Sequence, residues 1–134
     1  MTHAARACRL SLLALGCLLA FGAQAGEAIK TADGKWSLSP DTDALAPKKE
    51  GEVMIDATPA DGGKAACPDI DMVSFTMPKH GGHGGSSTPE AMKMGPCGYH
   101  VSGLTPSMPG PWLLHLHFKG ATGDTTADIP IKAE

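Results

Sequence analysis

Apolar and polar positions alternate in short runs along this chain, and turn residues separate the runs. The alternation is sharpest from 112 to 119. Trp112, Leu114, Leu116 and Phe118 share one side, and Leu113, His115, His117 and Lys119 the other. A period of two is that of a β-strand with one buried face. From 70 to 77, Ile70, Met72, Ser74 and Thr76 fall on one side and Val73, Phe75 and Met77 on the other, and Pro78 ends the run. Further strands are expected at 52–56, from Tyr99 to Val101 and at 125–131, with a short one at 35–39. Residues 58–68 are turn-rich, and three prolines make 104–111 a turn region. Residues 80–96, rich in Gly, Ser and Pro, read as a long irregular loop with room for one helical turn at 89–94. No amphipathic helix of useful length and no internal repeat are visible. Short strands punctuated by Gly and Pro predict an all-β fold, a small antiparallel β-sandwich.

The first residues carry a different pattern. Arg6 and Arg9 precede an almost unbroken apolar run, 10–21, too short to span a bilayer comfortably, and Ala23-Gln24-Ala25 follows it. This is the pattern of a secretory signal peptide cleaved after Ala25. A lipoprotein leader ending at Cys17 fits less well, because Leu15 suits its position poorly and the apolar run continues past Cys17. The expected organisation is a leader at 1–25, a flexible polar segment at 26–50 and the sandwich domain at 51–134. With no second apolar stretch to anchor it, the mature chain is expected to be periplasmic, without a stable membrane anchor.

Loss of the leader changes the charge. Nine lysines, no arginine and fourteen acidic residues remain, a formal charge of about −5. Nucleic-acid binding normally shows a basic patch with Arg and aromatic residues, so no nucleic-acid partner is expected. Two cysteines remain, Cys67 and Cys97. In an oxidising compartment a disulfide is the default. It would close a loop of about 30 residues, worth ~3–4 kcal/mol in the chain-entropy model. Thiolate ligation of a metal is the competing use, but neither cysteine belongs to a CxxC pair.

The remaining chemistry is thioether and imidazole. Met77, His80, His83, Met92 and Met94 fall within eighteen positions in a Gly-rich stretch. Methionine sulfur is a soft ligand suited to Cu(I), and imidazole accepts Cu(I), Cu(II) and Zn(II). Glycines let such a backbone fold ligands inward at low steric cost. Met108, in the Pro-rich turn, could face the same end of the sandwich. His115 and His117 share one surface of their strand, about 7 Å apart; they are a chelating pair or two solvated histidines. A dismutase or cupin would need further histidines and a carboxylate, and no acid–base set accompanies these, so no enzyme is expected. Met54 and Met72 read as fillers of irregular core gaps, and His100 as structural.

Three stretches resemble the YtkA-like/FixH-like group of small secreted or membrane-anchored domains. They are Asp71-Met72-Val73-Ser74-Phe75-Thr76-Met77-Pro78-Lys79-His80 with His83, then Gly98-Tyr99, then Met108-Pro109-Gly110-Pro111-Trp112-Leu113-Leu114. The resemblance covers about half of the mature chain, and it implies an immunoglobulin-like β-sandwich and copper handling or assembly of copper oxidases. This chain differs in its cysteine pair, its Gly-rich insertion and the expected lack of an anchor. The expected function is a periplasmic copper carrier or buffer. Met77, Met92 and Met94 would hold Cu(I), and His80 and His83 would complete that site or hold Cu(II). Zinc could also bind, and a periplasmic or membrane copper protein would be the acceptor. The competing expectation is a non-metal interaction or structural domain.

Overall fold

The computed structural model describes residues 28–41, 43–121 and 123–134. The expected leader, 1–25, lies outside them. Among the described residues nine strands form two antiparallel sheets: β1 (Ile29–Lys30), β2 (Trp36–Asp41), β3 (Gly51–Pro59), β4 (Asp69–Met77), β5 (His83–Gly84), β6 (Glu90–Met94), β7 (Gly98–Leu104), β8 (Gly110–Gly120) and β9 (Gly123–Ala133). The first sheet has the order β1-β2-β3-β7-β6 and the second β5-β4-β8-β9. Among the described residues no helix is long and apolar enough to cross a membrane.

The sheets pack face to face as a β-sandwich, as the alternation predicts. Trp36 and Leu38, then Val53, Ile55 and Ala57, then Tyr99, Val101 and Leu104 point inward from the first sheet. Phe75 and Met77, the Trp112–Phe118 set, and Ala127, Ile129 and Ile131 meet them from the second. Tyr99 packs edge-on against Phe118 across the core at 5.8 Å. Such burial is the main favourable term in folding.

Two expected features differ. Residues 26–50 are not simply a polar tether. They supply β1 and β2, and Trp36, Leu38 and Leu45 are buried. Leu45 also bridges to Ala133 in parallel. Trp36 and Leu38 fall on the short strand expected at 35–39, whereas Leu45 stands alone and leaves no periodic signal. Residues 80–96 are not one irregular loop either. A left-handed turn at Gly81 and Gly82 returns the chain as β5, which pairs with the end of β4. The chain then crosses to the other sheet, where 90–94 is a strand on β7 rather than a helical turn. The crossing is close: a Cβ on Gly103 would come within 2.5 Å of the Thr88 carbonyl oxygen.

The Cys67–Cys97 disulfide links the segment just before β4 to the β6–β7 turn, with the Cα atoms 5.4 Å apart. That separation suits a disulfide. The same segment is held twice more. Lys93 Nζ donates to the Cys67 carbonyl at 2.8 Å, and the Tyr99 hydroxyl donates to the Pro68 carbonyl at 2.5 Å. The second sheet is thereby fixed to the first at one end of β4.

Candidate metal-binding faces

Because Trp112, Leu114, Leu116 and Phe118 are buried, strand alternation turns His115 and His117 onto the outer face of the second sheet. Each has a carboxylate on its Nδ1. Asp128, directly opposite on β9, bonds His115, and Asp71 bonds His117 at 2.5 Å. The hydrogen bond from His117 holds the Asp71 carboxyl below the usual carboxylate range, against a smaller opposing effect of desolvation. An ionised carboxylate only accepts hydrogen bonds, so each Nδ1 carries the proton. In the neutral imidazole each Nε2 then keeps its lone pair for an incoming ion. Metal-binding histidines are commonly oriented in this way by a carboxylate behind the ring.

A bulge in β4 adds a third donor. Ile70 pairs with Phe118 and Met72 with His117, which leaves Asp71 as an extra residue on β4. Both Asp71 and Met72 are exposed, and Ile70 packs against the core with Val73. A bulge sets two residues against one and re-aims their side chains. Ile70 is therefore not on the Met72 side, as unbroken alternation would have it, and Met72 is not a core residue. As the cross-strand partner of His117, it presents its side chain on the face that carries His115. Among the described residues no three His, Cys, Asp or Glu side chains gather to hold an ion; the donor set here is two imidazoles and a thioether.

The set expected in the Gly-rich stretch is divided. Met77 is fully buried and faces inward, its methyl group against Gly110. It fills the core. His80 ends a 3-10 turn over Pro78–His80, and His83 is exposed on β5, paired with Met77. Met92 and Met94 are on β6, in the other sheet, and face outward. Because 90–94 is a strand of that sheet, these thioethers and that of Met77 cannot meet around one ion. Met108 is partly exposed in the turn before β8, and its carbonyl accepts the Trp112 indole N–H at 3.0 Å.

The outer face of the first sheet holds a second group that sequence reasoning missed. Met54 on β3 and Met92 on β6 are both direct cross-strand partners of His100 on β7. The Glu52 carboxylate bonds His100 Nε2 at 2.7 Å. A signal existed for Met54: strict alternation over 52–56 sets it with Glu52 and Asp56, opposite Val53 and Ile55. Alternation over 72–77 did the same for Met72, setting it with Ser74 and Thr76 opposite Val73, Phe75 and Met77; it misplaced Ile70, which a bulge turns inward through pairing with a strand about forty-five positions away.

Among the described residues the exposed large hydrophobic side chains are Met54, Met72, Met92, Met94 and Met108, at 38–63% exposure, and all are methionines. Isolated apolar residues on a surface are ordinary. A surface that exposes thioethers, while tryptophan, phenylalanine and leucine are buried or half-buried, is selective for sulfur. Comparison of the chain with protein-family models, curated proteins and solved structures finds no match.

Proposed function

We propose that the protein binds copper outside the cytosol and carries or buffers it, with His115, His117 and Met72 as the principal donors. One observation carries this reading: two imidazoles on one sheet face, each with Nδ1 held by a carboxylate and Nε2 left to bind, stand beside an exposed thioether. Imidazole nitrogen accepts both copper states, and the thioether favours Cu(I). The resemblance to YtkA-like/FixH-like domains points the same way. An open face leaves a bound ion within reach of an acceptor's ligands, which suits exchange more than retention or catalysis. A periplasmic or membrane copper protein is the acceptor this reading calls for.

The exposed methionines also favour a second reading. Adaptable protein-binding surfaces are rich in methionine, so the faces could dock a protein without any metal. That reading explains the thioethers but not the carboxylates behind the imidazoles.

Titration of the leader-free, oxidised protein with Cu(I), Cu(II) and Zn(II) against competing chelators separates the two. Copper binding at one ion or more per chain, weakened at least ~100-fold by His115→Ala with His117→Ala, is the expected result; ligand removal should exceed the ~10–100-fold typical of losing an outer-shell partner. No copper binding in the parent protein would leave the protein-docking reading.

A further inference from the structure

We infer a second metal site, selective for a soft monovalent ion, on the outer face of the first sheet, formed by Met54, Met92 and Met94 with His100. It extends the copper reading to other residues. Met54, His100 and Met92 form one row across three adjacent strands, with the imidazole in the middle. Cross-strand neighbours have Cβ atoms about 4.5–5.5 Å apart, so both thioethers flank the ring. Met94 is two residues further along β6 on the same face, opposite Gly98, over which the Asp56 carboxylate leans from β3. Diagonal neighbours of this kind are about 7–8 Å apart, within reach of a long side chain. Methionine has three rotatable bonds and can turn its sulfur toward a shared ion.

The donors fix the choice of ion. Three thioethers and one imidazole are soft overall and favour Cu(I) over Cu(II) and Zn(II). Glu52 occupies His100 Nε2, so in the neutral imidazole Nδ1 is the nitrogen with the lone pair. The face opposite carries two imidazoles and one thioether, a harder set. Stacked sheets lie about 10 Å apart, so the two groups, on outer faces, cannot share an ion. The chain thus offers a sulfur-rich face for the reduced ion and an imidazole face that also accepts the oxidised one.

The test uses Ag(I), a redox-inert probe for soft monovalent binding, with NMR of the methionine ε-methyl groups. Expected are coupled shifts of Met54, Met92 and Met94 that saturate at one ion, with Met77 unmoved. Met54→Leu, Met92→Leu and Met94→Leu together should weaken Ag(I) binding at that face at least tenfold, about 1.4 kcal/mol. These swaps conserve volume and are well tolerated, so the variant should fold and keep Cu(II) binding at His115 and His117. Shifts confined to Met72 or Met108, or a triple variant that binds Ag(I) like the parent, would overturn the second site. If Cu(II) binding at His115 and His117 persists in that case, only the second site fails. If the parent binds neither ion, the copper reading fails with it.

Discussion

Asp71 and His117 are joined by a 2.5 Å hydrogen bond between β4 and β8, and the bulge at Asp71 and Met72 sets both of those side chains opposite the ring. Without the extra residue, Asp71 would point into the sandwich. Asp71→Asn should therefore weaken copper binding by ~10–100-fold, the usual effect of losing a carboxylate behind a ligating imidazole. An exposed pair contributes little to stability, so thermal unfolding of the metal-free variant should be nearly that of the parent. A chelator competition and a thermal melt check the two halves.

Met77 and Met92 should behave oppositely although both lie in the same Met/His-rich stretch. Met77 is fully buried. Met77→Ala should lower stability by ~2–5 kcal/mol through the cavity it leaves, while copper stoichiometry is unchanged in the folded fraction. Met92→Ala should leave stability within ~0.5 kcal/mol, as for most surface changes, and should weaken Cu(I). Urea unfolding and Cu(I) titration of the two variants make the comparison.

The Cys67–Cys97 link ties the two sheets together beside the Lys93 and Tyr99 anchors. Its removal as Cys67→Ser with Cys97→Ser should destabilise the domain by ~3–4 kcal/mol. Intact mass of the secreted protein before and after reduction should differ by two hydrogens. Readily alkylated thiols in the secreted protein would contradict the link.

Tyr99 gives the pH dependence. Burial, with a smaller contribution from the Asp69 charge, pushes its hydroxyl up to about 12. A raised folded value means the neutral form is favoured in the native state. The stability is complete below the unfolded value of ~10 and is lost as pH rises through about 12. The chain has a single tyrosine, so its tyrosinate absorbance should rise near pH 12 in the folded protein and near pH 10 in urea. A midpoint near 10 under native conditions would show that the hydroxyl is not held as described.

Legibility in the sequence followed the range of the interactions. The β8 strand was plain, because Trp112 to Phe118 alternate without a break, and the same alternation placed His115 and His117 together on the opposite face. The cysteine pairing was plain because the two cysteines past the expected leader leave one choice. Residues 90–94 were not, since Glu90-Ala91-Met92-Lys93-Met94 lacks a strong apolar alternation and becomes a strand only through pairing with β7. Nearness in sequence then suggested a single Met/His cluster, whereas the sheets separate Met77 from Met92 and Met94. The rows Met72–His117 and Met54–His100–Met92 are cross-strand registers, set by long-range pairing, and no local pattern records them.

Electron paramagnetic resonance of the leader-free protein loaded with one equivalent of Cu(II) tests the central claim most directly. The expected spectrum shows nitrogen coupling from two imidazoles, lost in the His115→Ala, His117→Ala protein and retained when His80 and His83 are replaced. A double variant at His115 and His117 with the parent's spectrum, or nitrogen coupling that disappears with His80 and His83 instead, would contradict the assignment of copper to the outer face of β8.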